Sequence, residues 1–103
     1  MFSGSVALRT SDGHSIFDAE TQQSINAPAD VYVGHHVWLG SGVRISKGTS
    51  VGSGTVVGQM SIATRQLDGN SVYAGAPARK VRDGIVWSRT HSWDDIPDDY
   101  LIR

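Results

Sequence analysis

Four clusters in this chain combine residue types and spacings that can do chemistry. His14 lies in the polar run Thr10-Ser11-Asp12-Gly13-His14-Ser15-Ile16. An imidazole near its ordinary pKa can take a proton from a hydroxyl or an amine at neutral pH. Taken alone, a solvated loop histidine is the plainer reading. Trp38, followed by Ser41, offers an aromatic wall beside a hydroxyl. Its other reading is a packing contact between subunits, where tryptophan is enriched. Arg79, Lys80 and Arg82 bring three cations close together. Guanidinium suits phosphate in particular, though lysine in a solvated basic edge strand also discourages unwanted pairing. His35 and His36 are adjacent. Neighbouring histidines on one turn seldom both reach one metal, and no cysteine or carboxylate stands at ligand spacing. They read as polar corner residues or subunit contacts, and no metal is expected.

The stretch 33–68 must position these groups. It breaks into six hexads, with Val33, Leu39, Ile45, Val51 and Val57 six apart and Ala63 at the sixth place. Four positions after each come Val37, Val43, Thr49, Thr55, Ser61 and Leu67. Neither helix nor ordinary strand has a period of six, and a fixed hexad is a repeat signature. A coil with three flat sides and one hexad per side fits it. Each leading aliphatic points inward and stacks on its equivalent eighteen residues later, Val33 under Val51, Leu39 under Val57 and Ile45 under Ala63. Gly42, Gly48 and Gly54 fall at corners, where positive φ favours glycine.

The string resembles the left-handed β-helix acyltransferases, the hexapeptide-repeat family that includes galactoside, maltose and xenobiotic acetyltransferases. Left-handed coiling is what the resemblance implies; it runs against the usual right-handed crossover. Three anchors carry it in order: His14, the Val37-Trp38-Leu39-Gly40 stretch, and Ala74-Gly75-Ala76-Pro77-Ala78-Arg79-Lys80-Val81-Arg82. The resemblance implies that His14 is the general base, and that Trp38 and Ser41 border the acyl and acceptor pocket. It also implies that Gly58, Thr64, Arg65, Arg79, Lys80 and Arg82 hold coenzyme A. Thr64 and Arg65 would lie along the pantetheine arm, which Gly58 lets approach the backbone, and the three later cations would meet the phosphates. Relative to the family the chain is N-terminally short. Met60 and Gln59 stand where smaller residues are usual, which narrows the expected thioester channel.

Length and composition set bounds. The 103 residues make one domain, 1–103: a strand near residues 5–10, a loop over 11–30, hexads over 33–68, and a C-terminal strand and tail over 69–103. Ile16, Phe17 and Ile25 are expected to tack the loop down. The tail is expected to cover the last coil or grip a neighbouring subunit, with a short helix near its acidic run at 94–99. Net charge is −1, which gives no general pull toward nucleic acid or anionic membrane. The absence of cysteine excludes disulfides, thiolate metal sites and a cysteinyl acyl-enzyme. No apolar run approaches the roughly 18 residues of a membrane span, and the first nine residues make a poor signal peptide. A cytoplasmic protein is expected. Two full coils stand only about 10 Å tall, and a core so small leans on partners.

The expected activity is direct transfer from acetyl-CoA to a hydroxyl of a sugar or similar small molecule, by a homotrimer with sites between subunits. Two alternatives stay open: a non-catalytic β-helical trimer acting as scaffold or binding module, and a metal enzyme of carbonic-anhydrase type.

Overall fold

The six-residue spacing winds the backbone into three walls. The computed structural model describes residues 1, 2, 4 and 6–101, Tyr100 by its backbone alone. Eight two-residue strands come first: β1 (Ala7–Leu8), β2 (Tyr32–Val33), β3 (Trp38–Leu39), β4 (Arg44–Ile45), β5 (Ser50–Val51), β6 (Val56–Val57), β7 (Ile62–Ala63) and β8 (Gln66–Leu67). Two longer ones follow, β9 (Val72–Gly75) and β10 (Ala78–Arg82). They form three sheets, β1-β4-β7, β2-β5-β8 and β3-β6-β9-β10. Every pairing is parallel except the β9–β10 hairpin. The chain is a left-handed parallel β-helix. Ser5, at the head of the expected N-terminal strand, lies outside the described residues.

The stacking follows the hexads. Val33 pairs with Val51, Leu39 with Val57 and Ile45 with Ala63. Leu39, Ile45, Val51, Val57, Ala63 and Leu67 are all buried. A second inward column, Val37, Val43, Thr49, Thr55 and Ser61, flanks it. Its hydroxyls do not stay unpaired, as burial demands. Thr49 Oγ1 donates to Ala63 O at 3.2 Å, Thr55 Oγ1 donates to Asp68 O at 2.6 Å, and Ser61 Oγ accepts from Gly75 N at 3.1 Å. Gly42, Gly48 and Gly54 take φ of 76°, 74° and 78°, as their corner placement requires. His36, Met60, Arg65 and Asn70 adopt the same left-handed region without being glycine.

Three expectations are corrected. Leu67 is not a fourth-position residue of the hexad led by Ala63. It is itself the leading residue of β8 and pairs with Val51, sixteen positions back. The corner through Thr64 and Arg65 is two residues short, so the third coil turns early. Ile16, Phe17 and Ile25 do not tack the loop down; they are 55%, 59% and 65% exposed. Backbone and polar contacts hold the loop instead, including Ala29 N to Thr10 O at 2.9 Å and the Lys47–Asp12 ion pair at 2.6 Å. The tail does not sit over the last coil. It runs down the outside of one corner, with Ile85 N on Asn70 O and Trp87 against His36. Two short 3-10 turns, Trp93–Asp95 and Asp98–Tyr100, occupy its acidic run.

Candidate active site

The shortened corner opens the upper end of the prism. Between it and the β9–β10 hairpin lies a cleft of about 550 Å³ lined by Thr64, Arg65, Gln66, Leu67, Tyr73, Pro77, Ala78, Arg79 and Lys80. Tyr73 fills the interior below, and its hydroxyl oxygen accepts from Asp68 N at 2.9 Å. Four of the expected coenzyme residues therefore meet here: Thr64, Arg65, Arg79 and Lys80. Two do not. Gly58 lies under Ala74, whose Cβ sits 3.4 Å from where a glycine side chain would begin. Arg82 follows an irregularity in β10, opposite Val72. Sequence reasoning gave no coenzyme role to Gln66, Leu67, Tyr73, Pro77 or Ala78, although the last two lie inside the third anchor. The signal that could have found the cleft is the step from Ala63 to Leu67, four residues where six are usual.

The cations of this cleft are not equivalent. Lys80 Nζ donates to Asp68 Oδ2 at 2.7 Å and to Asp83 Oδ1 at 3.2 Å. Ser71 Oγ also donates to Asp83 Oδ1, at 2.8 Å. Hydrogen bonding to Asp68 and then Asp83 raises the Lys80 ammonium well above its ordinary range. Ser71 and Lys80 together hold the Asp83 carboxyl below its own. Arg65 and Arg79 are exposed at the cleft rim.

His14 is exposed in the long loop that links β1 to β2. Asn26 Nδ2 donates to its carbonyl oxygen at 2.7 Å. At the loop's root, Ala7, Arg9, Asp12, Arg44, Ile45, Ser46, Lys47 and Ile62 line a smaller groove of about 230 Å³. Lys47 pairs there with Asp12, and hydrogen bonds from Lys47 and Asn26 lower the Asp12 carboxyl below its ordinary range.

Trp38 stands on the outer face of β3, half-buried. The tail's Trp87 lies against it, ring centroids 5.8 Å apart. The Nε1 of Trp38 is buried and has no hydrogen-bond partner among the described residues. Trp38 is thus a covered wall in the single chain, not an open one. Ser41 is exposed at the next corner, its hydroxyl donating to Gly4 O at 3.1 Å. Among the described residues no three His, Asp or Glu side chains come together as a metal site. No helix of the described residues is long and apolar enough to cross a membrane.

No family model matches the chain. Over 99 residues it is 42% identical to a polysialic acid O-acetyltransferase of Escherichia coli O1:K1 / APEC, covering 96% of this chain and 32% of that protein. The crystal structure of NeuO, a polysialic acid-specific acetyltransferase, superposes with a TM-score of 0.81 at 44% identity, over 84% of this chain and 40% of that one. The polysialic acid O-acetyltransferase OatWY superposes with a TM-score of 0.88 at 33% identity, over 96% of this chain and 50% of that one. The chain is thus similar, in sequence and in fold, to hexapeptide-repeat acetyltransferases. It spans 32% of the length of the curated relative and at most half of the two solved chains.

Within this β-helix the corner between the β1-β4-β7 and β2-β5-β8 sheets gathers three features in axial order. The His14 loop leaves it lowest, Lys47 and Gly48 turn it in the middle, and Thr64 and Arg65 turn it at the cleft. Trp38 belongs to the third sheet, the wall opposite that corner.

Proposed function

We propose that the chain transfers an acetyl group from acetyl-CoA to a hydroxyl of a saccharide. What carries the reading is the cleft in which Thr64, Arg65, Arg79 and Lys80 converge, in a chain 42% identical to a polysialic acid O-acetyltransferase. Guanidinium groups at the rim suit the phosphates of the donor. The pantetheine arm then runs down the corner toward His14. The imidazole takes the proton of the acceptor hydroxyl, and the oxygen attacks the thioester carbonyl. Backbone N–H groups or Ser41 hold the tetrahedral oxyanion. Its collapse breaks the C–S bond, and the departing thiolate receives the proton from the imidazolium. The products are an acetyl ester and free coenzyme A.

The acceptor we propose is an acidic saccharide of the polysialic type. The names of the relatives support this, as does the groove at the loop's root, where Arg9, Arg44 and Lys47 outnumber Asp12. The working unit is a homotrimer in the cytoplasm, where acetyl-CoA is made. One chain sends His14 and Trp38 from opposite sides of its prism, so a site holding both joins two chains. Exposed Ile16, Phe17, Ile25 and Tyr32 supply apolar surface for that contact.

Thiol release from acetyl-CoA, measured with a sialic-acid polymer and with maltose as acceptors, tests this. Turnover on the polymer is expected, and His14→Ala should lower kcat by about 100-fold. Absence of saturable acetyl-CoA binding at millimolar ligand would replace the enzyme reading with the scaffold one.

A further inference from the structure

Asn26 is half-buried, while every other residue from 8 to 30 is exposed. Its amide is used at both ends. Nδ2 donates to His14 O at 2.7 Å and to Asp12 Oδ2 at 3.0 Å. Oδ1 accepts from Ile16 N at 2.5 Å. One side chain thus closes the short segment on both sides of His14, from twelve residues away in sequence. Asp12 Oδ2 also accepts from Lys47 Nζ at 2.6 Å, and Lys47 sits on the corner between β4 and β5. The result is a polar bridge from the rigid prism, through Lys47, Asp12 and Asn26, to the backbone of His14. The loop beyond is a separate turn, closed by Asp18 N on Gln23 O and by the Asp18 carboxylate on Glu20 N and Thr21 N.

We infer that Asn26 is the positioning residue that holds His14 in place for proton transfer; the inference rests on the reading of His14 as the base. A carboxamide is the group that fits, since it supplies two donors and an acceptor on one short stem. Aspartate would set a carboxylate against Asp12 Oδ2 and His14 O, both acceptors. Glutamine keeps the group but moves it by one methylene.

Turnover on acetyl-CoA and a sialic-acid polymer is measured for Asn26→Ala, Asn26→Asp, Asn26→Gln, His14→Ala and the His14→Ala/Asn26→Ala pair. Loss of positioning should lower kcat by about 10–100-fold in Asn26→Ala. Because the cleft around Arg79 lies at the other end of the prism, KM for acetyl-CoA should change by less than about twofold. Asn26→Asp should be no better than alanine, and Asn26→Gln intermediate. In the His14→Ala background, removing Asn26 should cost nothing further. Full kcat in Asn26→Ala beside a dead His14→Ala overturns the inference and leaves the base reading standing. Full turnover in His14→Ala overturns the base reading, and the inference with it. A second measurement needs no activity. The Ile16 amide should exchange slowly with solvent deuterium in the unaltered chain and quickly in Asn26→Ala, while the Ala29 amide is unchanged. Free exchange of Ile16 in the unaltered chain overturns the inference whatever the turnover.

Discussion

Trp87 lies flat on His36, ring centroids 3.8 Å apart and planes 11° from parallel. The two residues are also joined by hydrogen bonds in both directions. Trp87 Nε1 donates to His36 O at 2.9 Å, and His36 Nε2 lies 2.9 Å from Trp87 O. A carbonyl only accepts, so the Nε2 of His36 carries the proton. The contact bridges 51 positions and fastens the tail to the corner between β2 and β3. It makes the C-terminal segment a strap along the coils, with Arg89 5.7 Å from the Trp87 ring on its way past.

Trp87→Ala should therefore act on the fold well beyond the tail. Trp87 is buried, and removing a buried tryptophan ring costs about 3–5 kcal/mol. The same change uncovers Trp38. Urea unfolding followed by fluorescence checks both effects: a lower midpoint, and red-shifted Trp38 emission before unfolding begins. An unshifted midpoint would mean that the strap contributes nothing to the prism.

Gly52→Ala and Gly84→Ala should separate two reasons for glycine. At Gly52 an added Cβ would stand 2.4 Å from Gly69 N and 2.7 Å from its Cα, so the coil above must move. Overpacking of this kind costs roughly 3 kcal/mol. Gly84 has φ of 64° and nothing within 4 Å of an added Cβ. Only the backbone penalty of about 1–2 kcal/mol applies there. Chemical denaturation should place the Gly52 variant clearly below the Gly84 one.

The hexad was legible because every leading position from Val33 to Ala63 obeys it and side-chain size near the axis is tightly limited. Val33, Leu39 and Ile45 could be placed against their partners from spacing alone. Leu67 could not, since an aliphatic there satisfies both a fourth position in one register and a leading position in a shorter one. Only the pairing with Val51 decides. Trp87 was opaque for another reason. Its partners, His36 and Trp38, are far away in sequence, and the tail has no period to reveal a face. The cleft was half legible. Thr64, Arg65, Arg79 and Lys80 carry the family's pattern, but the commitment of Lys80 to Asp68 and Asp83 depends on hairpin geometry that no local motif records.

That commitment has a pH signature. The folded Asp83 carboxyl is held below its ordinary value of 3.8 by Ser71 and then Lys80. Its contribution to stability is full above that value and is lost as pH falls through the depressed one. Lys80 is raised above its ordinary 10.5, so its contribution is full below that and is lost only as pH rises through the raised value. Thermal melts between pH 2 and 8 should show an acid limb that flattens in Asp83→Asn. The drop at neutral pH should be small, because the carboxyl is exposed and solvent screens the pair. An identical acid limb in the variant would remove Asp83 from the account.

The unequal cations of the cleft yield the last expectation. Arg79 presents an exposed guanidinium on β10, whereas the ammonium of Lys80 is already shared between two carboxylates. A phosphate approaching Lys80 must compete with Asp68 and meet its negative charge; one approaching Arg79 need not. Losing a charge-assisted hydrogen bond costs about 1.5–3 kcal/mol, so Arg79→Ala should weaken coenzyme A binding by about 10-fold or more. Lys80→Ala should lower the melting temperature through the hairpin and move affinity much less. Calorimetric titration with coenzyme A, repeated at low and high salt, distinguishes the two. Equal losses of affinity would show that the Lys80 ammonium leaves its carboxylates for the ligand, and that its ion pairs with Asp68 and Asp83 give way on binding.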